Sequence, residues 1–600
     1  MHSTSLSNTR RLFDVIEWQA NRFPKEDLLC GKENGNWCKY STHDVMYEAL
    51  QISAGLLQLG IGGKKKSVLE QDKVAIISKN RPEWLILDLA CQQIGVILCP
   101  IYPTTPASEI EFIFNDANIK YVFISGKDIL HKIKTIQPSI PSIQNVFSFD
   151  DLQGVDHWKM ITSNLSKSDT EKVTNYKHTI ETQDCATIIY TSGTTGLPKG
   201  VMLSHENFLS NVKNSIITFP FPEMPHGKAL SFLPLNHIFE RMVSYIYIAC
   251  GISIYYAEGM ETIGNDLKEV QPQIFTTVPR LLEKVFDKIM QKGASLTGIK
   301  KKLFYWAVGL AEKYNIPNHQ NLWYKLQLMM ANKIIFNKWR EALGGKVQFI
   351  VTGGAACQLN LLKIFNAAQI PVYEGYGPTE NSPVISVNCH KKRGTNLGTV
   401  GLPIEGQEVK IAEDGEICVK GPSVMMGYYN RPDLTEEVII DGWLHTGDIG
   451  VWEDGKYLKI TDRKKELFKN SGGKYIAPQV IENAFKTSPF IEQIMVVGAN
   501  EKYVCAIIIP SFENLHQWMA KENIEIVSKE STVQHEKVQK LFKEVVKKHN
   551  TNLNPIEQVK KFELLIHEWS VETGELTPKM SMRRKIIMEK NQHIINRFYL

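Results

Sequence analysis

The sequence predicts an α/β protein made of a large N-terminal domain, with parallel-sheet α/β layers and a β-rich part, and a small α+β C-terminal domain. Three observations lead there. Short apolar runs alternate with helical patterns through most of the chain, as in a parallel sheet covered on both faces. After about residue 395 the texture turns to short β-like pieces separated by turns. Finally, 600 residues that are 43% hydrophobic fill more than one core, because single cores stop growing near roughly 250 to 300 residues.

The first clear unit is "VAIIS" at 74 to 78, the helical "PEWLILDLACQQIG" opened by Pro82 at a first-turn position, and "VILCPIY" from Val96. Its order is strand, helix, strand. "YVFIS" from Tyr121, "ATIIY" from Ala186, "VQFIV" from Val347 and "IPVYEG" from Ile370 are further short apolar runs bounded by turn residues. Between Gly298 and Trp339 lies an insert of two long helix patterns. In the first, Leu303, Phe304, Ala307, Leu310, Ala311 and Tyr314 recur at helical spacing beside Lys300, Lys301 and Lys302. A helix packed on the domain core is the favoured reading of that stripe, and a membrane-surface helix is the alternative.

"EDGEICVKG" and "EDGKYLKI" carry hairpin-type turns, and the charged, glycine-containing "TDRKKELFKNSGGKYIAP" reads as a linker near Asp462. The domains are therefore expected at 1–461 and 462–600, with Pro478 opening a helix in the second and strands "IMVVGA" and "VCAIIIP" following it.

A net charge of +5 with no long basic block argues against nucleic acid as a partner. Ten scattered cysteines without a CxxC pair read as reduced thiols in a cytoplasmic protein. The N-terminus lacks the apolar core of a signal peptide, and no run of about 20 uncharged apolar residues follows, so membrane contact is expected only from one side.

One stretch points to chemistry. "TSGTTGLPKG", residues 191 to 200, combines glycines, hydroxyls and a lysine suited to wrapping phosphate oxygens. It is neither GxxxxGK[ST] nor GxGxxG, and the strand-like "VMLS" follows where those motifs require a helix. It resembles the signature of the adenylate-forming (AMP-binding) superfamily. Companion segments stand in that family's order: "LPLNHIFER" at 233 to 241, "TGGAA" at 352 to 356, "GYGPTE" at 375 to 380, "GWLHTGD" at 442 to 448 and "DRKKE" from Asp462. The "LPLNHIFER" and "YEGYGPTE" segments and the helical insert resemble the long-chain fatty acyl-CoA synthetases more than other branches.

The resemblance implies attack of a fatty carboxylate on the α-phosphorus of ATP, giving acyl-AMP and pyrophosphate, and then attack of the coenzyme A thiol. Both steps bring negative groups together, so positioning and charge stabilisation carry the catalysis. By the same resemblance Thr191, Ser192, Gly193, Thr194, Thr195, Gly196 and Lys199 hold the outer phosphates. Glu380 carries Mg²⁺ with Thr191, in a nucleotide site that also includes Thr379. Gly353, Gly354 and Ala355, with Glu374, Gly375, Tyr376 and Gly377, line the adenine and acyl junction, Tyr376 stacking on the base. Asp448 and Arg463 hold the ribose. His237 sits beside the acyl carbonyl, and the tail lies in an apolar channel near residues 230–260 and 350–360. Lys465 is the hinge of a mobile small domain whose Gly473 approaches the pantetheine.

The C-terminal segment departs from the family. Where a lysine of a TPxLK-type motif usually neutralises the α-phosphate, "GELTPKMSMRRKII" places Ser581. Lys579 is the preferred substitute, since an extended chain would put it on the same side as Ser581 and Arg583, whereas a helical one would favour Lys585. The partners expected are a fatty acid, ATP and coenzyme A, with no nucleic acid. A homodimer and peripheral contact with the inner face of a membrane stay open. So do two other functions, an acyl-AMP ligase loading a carrier protein and a non-catalytic acyl or nucleotide binder.

Overall fold

The alternation of strand and helix patterns resolves, in a computed structural model of the chain, into sheets buried between helices. The structure describes residues 6, 8–63, 67–192, 197–219, 227–315, 321–391, 393–464, 466–551, 553–577 and 581–600. It divides into two units: Met1–Lys410, Cys418–Thr446 and Trp452–Lys459 form one, and Ile411–Ile417, Gly447–Val451 and Ile460–Leu600 the other.

The large unit holds two sheets. The expected strand, helix, strand order appears as Lys73–Ile77, Pro82–Gln93 and Ile97–Pro100, with Val74 opposite Leu98 in parallel register and Pro82 in the first turn of its helix. All five residues of the first strand and all four of the second are buried, the signature of a parallel strand covered on both faces. This eight-stranded sheet continues through Tyr121–Ile124, Asn145–Ser148 and Asp156–His157 on one side. On the other side Cys185–Ser192 lies parallel to Ile97–Pro100 but pairs antiparallel with Pro198–Ser204. The run from Ala186 is thus a parallel strand on one edge only.

The nine-stranded sheet has a parallel centre made of Val372–Tyr376, Phe349–Thr352, Ile274–Thr277, Lys228–Ser231, Ser253–Tyr256 and Leu29–Glu33, in that spatial order. Short antiparallel strands finish both edges. The β-like stretch after residue 395 forms a five-stranded sheet, in which Trp443–Glu453 pairs with Tyr457–Arg463. Asp454 and Gly455, both at positive φ, make its turn.

A charged network joins elements of the two large sheets. Arg241, fully buried on the helix Ile238–Ala249, donates from Nε to Asp88 Oδ2 at 2.9 Å and from Nη1 to Thr187 Oγ1 at 2.8 Å, and its Nη2 pairs with Asp88 Oδ1. Tyr245 Oη and Gln92 Nε2 complete the shell of Asp88 at 2.8 and 2.9 Å. The guanidinium also lies 5.4 Å from the ring centroids of Trp84 and Phe208. A buried pair of this kind costs desolvation, which only complete hydrogen bonding offsets.

In the insert, helix Gly298–Glu312 buries Phe304, Ala307, Val308, Leu310 and Ala311 against a cluster that includes Phe275, Ile350, Leu361 and Phe365. Its apolar stripe is core, as favoured above. The second pattern is the helix Leu322–Ala331, a π-helical turn Asn332–Phe336 and the helix Asn337–Ala342. Among the described residues no helix is long and apolar enough to cross a membrane. All ten cysteines are free thiols, and every one but Cys38 is buried.

The second unit is built on Val504–Pro510, antiparallel to Ile491–Val497 and parallel to Val559–Leu564. Alternate residues of its central strand serve opposite faces: Val504, Ala506 and Ile508 join the core under the helices Pro478–Phe485 and Glu536–Asn550, while Cys505, Ile507 and Ile509 pack on the terminal helix Gln592–Tyr599.

Replacing Arg241 by Met removes one partner of a fully buried pair and leaves Asp88 charged in the core. Chemical denaturation should report a loss of about 3 to 5 kcal/mol, most of it recovered in the Asp88→Asn/Arg241→Met double variant. Equal stability of the single variant and the parent would refute this account.

Candidate active site

The phosphate-loop stretch sits at the tip of a β-hairpin. The register of its two strands places Thr191 opposite Lys199, and Ser192 opposite Pro198. Gly193, Thr194, Thr195 and Gly196 lie outside the described residues. The strand that follows the loop confirms that this is not a helix-opening phosphate motif. On its other edge Pro198–Ser204 pairs with the two-residue strand Gly427–Tyr428, Val201 facing Tyr428.

That pairing sets a residue the sequence reading missed. The Tyr428 hydroxyl donates to Glu380 Oε1 at 2.8 Å, and the Lys199 ammonium lies 5.0 Å from the centre of the Tyr428 ring. One phenol thereby gathers the lysine of the loop and the carboxylate of "GYGPTE". The Met425 N–H donates to the Glu380 carbonyl at 2.8 Å, and Thr435 Oγ1 accepts from the Tyr428 N–H at 2.8 Å, so the backbone is held on both sides of the contact. Burial, and then the charge of Glu380, push the phenol pKa well above its ordinary value, so Tyr428 stays a donor. Thr379, buried at the start of the short turn Thr379–Asn381, precedes Glu380 directly.

The rest of the large-unit site lies beyond the carboxyl ends of parallel strands, where open α/β sheets place their ligands. Phe349–Thr352 and Val372–Tyr376 are neighbours with Thr352 opposite Glu374. Gly353, Gly354 and Ala355 therefore emerge beside Gly375, Tyr376 and Gly377. A Cβ at Gly353 would stand 3.3 Å from the Gly375 carbonyl oxygen, and one at Gly377 would stand 1.7 Å from the Pro383 carbonyl oxygen, which no side chain tolerates. The Tyr376 carbonyl accepts from the Ile385 N–H at 2.8 Å, and the residue is half-buried.

Glu374 turns its carboxylate inward. It is buried, accepts from the Cys357 N–H at 2.8 Å, and is pushed up to about 7 by that burial, with the hydrogen bond opposing the shift. The side chain pins the segment after Gly353, and its work is to position that segment.

His237 follows the strand Lys228–Ser231 and caps the helix Ile238–Ala249, its Nδ1 accepting from the Phe239 N–H at 3.1 Å. In the neutral ring this leaves the proton on Nε2. Phe239 Cε1 lies 3.7 Å from the Cβ position of Gly353, so the helix that His237 opens abuts the glycine segment.

The remaining candidates belong to the second unit. Asp448 is nearly buried and lies 3.4 Å from Arg463 Nε, whose side chain is largely exposed. Gly447, at positive φ, precedes it and donates its N–H to Glu416 Oε1 at 2.8 Å. Lys464 bridges Asp414 and Glu416 at 2.6 and 2.8 Å. Gly473 occupies a tight turn at positive φ and donates to the Asn470 carbonyl at 2.9 Å. Lys465 and Lys579 lie outside the described residues.

Around Ser581 the structure changes one premise. Leu576 and Met582 form an antiparallel bridge, and the Thr577 N–H donates to the Ser581 carbonyl at 2.8 Å. Met582 is thus extended in the bridge, and a helix begins only at Arg584. Ser581 lies ahead of that helix, so the helical alternative through Lys585 does not hold there, while Lys579 is outside the described residues. Arg584, which the sequence reading passed over, holds the start of that helix through Glu482 at 2.6 and 2.8 Å and Glu466 at 2.9 Å.

Comparison with known proteins agrees with this geometry. The profile of the family described as "AMP-binding enzyme" matches residues 16–429, and that of the "AMP-binding enzyme C-terminal domain" matches residues 467–600. Long-chain-fatty-acid–CoA ligase 5 of Rattus norvegicus is 34% identical over 544 residues, covering 85% of this chain and 78% of that protein. Long chain acyl-CoA synthetase 3 of Arabidopsis thaliana is 31% identical and covers 98% of this chain and 91% of its own length.

Among solved structures, the adenylation domain of a carboxylate reductase from Mycobacterium chelonae superposes with a TM-score of 0.74 at 19% identity, over 99% of this chain and 92% of that one. The anthranilate CoA ligase AuaEII, in complex with anthranoyl-AMP, gives 0.70 at 16%, over 98% and 99%. At such identities these two speak for the fold. The family profiles span most of the chain, and its relatives cover 85% and 98% of it, so this chain belongs to the AMP-binding enzymes of the adenylate-forming superfamily and is most like the long-chain acyl-CoA synthetases.

Proposed function

We propose that the chain is an ATP- and Mg²⁺-dependent long-chain fatty acid:CoA ligase. In the first half-reaction a carboxylate oxygen bonds to the α-phosphorus of ATP and the bond to pyrophosphate breaks. In the second, the coenzyme A sulfur bonds to the acyl carbon, the thiol proton leaves to solvent and AMP departs. The observation that supports this reading most directly is the gathering of Lys199 and Glu380 around Tyr428 at the end of the phosphate hairpin. It provides an ammonium for phosphate oxygens and a hard oxygen donor within one small region.

Among the described residues no three metal-ligating side chains cluster. A single carboxylate fits Mg²⁺ bound mainly through nucleotide phosphates and water, and Glu380 would hold it with Thr191 contributing. The ion would neutralise charge on the departing pyrophosphate. In the second unit Asp448 and Arg463 would take the ribose, and Lys579 would supply the ammonium for the α-phosphate. His237, with its proton on Nε2, would donate toward the acyl carboxylate. The tail would lie among the apolar residues near 230–260 and 350–360, where about 0.8 kcal/mol per buried methylene favours long chains.

Purified protein with ATP, Mg²⁺, coenzyme A and a series of fatty acids should release AMP and form acyl-CoA, with long chains preferred. Absence of AMP with every acid would overturn the reading. AMP formation that needed an acyl carrier protein instead of free coenzyme A would move it to the carrier-loading class.

Two substitutions probe the site. Tyr428→Phe removes the hydrogen bond that holds Glu380, and should slow acid-dependent pyrophosphate exchange by about tenfold or more while raising the Mg²⁺ needed for half-maximal rate. An unchanged Mg²⁺ dependence would separate Tyr428 from the metal. Lys579→Ala should depress the same exchange while sparing thioester formation from supplied acyl-AMP, and unimpaired exchange would remove Lys579 from the mechanism.

A further inference from the structure

The helix Leu322–Ala331 is apolar on both faces. Inward, Ala331 is fully buried, Tyr324 and Leu328 pack on the insert core, and Tyr324 Oη donates to the Leu310 carbonyl at 2.8 Å. Asn332 Nδ2 at its end donates to the Ala367 carbonyl at 2.9 Å. The helix is thus firmly seated. Outward, Leu322 is 82% exposed, Trp323 64%, Leu326 46%, Met329 63% and Met330 51%, with Ile334 45% exposed in the turn beyond. At 100° per residue, positions 322, 323, 326, 329 and 330 fall on one side, making a continuous apolar stripe on an otherwise folded surface.

Along the stripe's own segment the charges have one sign. No aspartate or glutamate occurs between Asn321 and Arg340, while Lys325, Lys333 and Lys338 are exposed, and Lys300, Lys301 and Lys302 are exposed on the preceding helix of the insert. We propose that this face docks on an anionic lipid bilayer: Leu322, Trp323, Leu326, Met329 and Met330 enter the headgroup and acyl boundary, and the lysines meet lipid phosphates and carboxylates. An interfacial helix has this composition, with apolar and tryptophan residues inward and lysines at the margin. A two-fold-related copy is the poorer occupant, because the segment 321–340 offers no acidic residue to meet the lysines of its mate. The sequence reading had considered such a face for the first helix of the insert, but the structure buries that stripe and exposes the next one. The inference does not depend on the ligase reading, although long-chain acids partition into the same bilayers.

The test is co-sedimentation of the full chain with phosphatidylcholine vesicles and with vesicles containing about 30% phosphatidylserine, at low and high salt. Binding should favour the anionic vesicles and fall with salt. The Leu326→Ser/Met329→Ser variant should bind about tenfold or more weakly, and Lys325→Gln/Lys333→Gln should lose the preference for anionic lipid. Both change only exposed side chains, so melting temperature and acid-dependent AMP release in vesicle-free buffer should match the parent. Parent protein that ignores both vesicle types, or serine-variant binding equal to the parent's, would overturn the proposal. So would a concentration-dependent dimer that the serine substitutions dissociate, since it would assign the face to a second copy.

Discussion

The buried guanidinium of Arg241 sets the alignment on which the large-unit site depends. A full charge deep in a low-dielectric core is tolerated only where every donor meets an acceptor. Asp88 and Thr187 accept one hydrogen bond from each of the guanidinium's three nitrogens, and they come from a helix and a strand of the other sheet's layer. Slide any of these elements by one residue and a charge is left unpaired. The constraint reaches the chemistry through short covalent paths: Arg241 is four residues beyond His237 on one helix, and Thr187 is four residues before Thr191 on the strand that carries the phosphate loop. The pair is weak evidence for stability. Its stronger role is to register two sheets whose ends must cooperate.

A second constraint acts at the rim. The edge strand Gly427–Tyr428 comes from a part of the chain more than two hundred residues beyond the hairpin it joins, and carries a phenol that touches both Lys199 and Glu380. The adenylyl transfer proposed above would need a cation and a metal-holding carboxylate in fixed relation before any substrate arrives to order them. Tyr428 supplies that relation with one hydroxyl and one ring face, and its raised pKa keeps the hydroxyl protonated. The inward-turned Glu374 has the matching task for the glycine segment, where its bond to the Cys357 N–H holds a turn that must leave Gly353 bare.

What was legible in the sequence followed the range of the physics. Local periodicity located the strands at Val74, Tyr121 and Val372 and the helices opened by Pro82 and Pro478, because those signals lie within a few residues. The strand after "TSGTTG" separated its loop from helix-opening phosphate motifs for the same reason. Tyr428 was not legible: "GYYN" has no local mark that selects one tyrosine for an edge pairing. Arg241 was quoted within a motif, yet its partner lies 153 residues away. The outward stripe of the second insert helix escaped notice because a segment apolar on most of its circumference has little periodic contrast to detect. At Ser581 the helical alternative failed, because Met582 bridges Leu576 and the helix begins only at Arg584.

The ion pairs of the second unit bear on how such a domain moves. A hinge confined to one residue needs firm handles on either side; otherwise the dihedral change spreads along the chain. Lys464 is held by Asp414 and Glu416, while Glu466, two residues on, is held by Arg584 and by Gln479 Nε2 at 3.1 Å. Arg584 is bound in turn to Glu482, beside the central sheet. The two tethers run to different segments of the unit and leave Lys465 between them. If the small domain turns about Lys465, as the resemblance to the adenylate-forming enzymes implies, a rotation at that residue alone breaks neither set of ion pairs. A rotation one residue earlier or later would have to pull Lys464 or Glu466 from its partners, at a cost of about 1 kcal/mol or more for each partly buried pair. The charge-dense "DRKKE" stretch thus fixes Lys464 and Glu466, the two neighbours of Lys465, to separate segments of the unit.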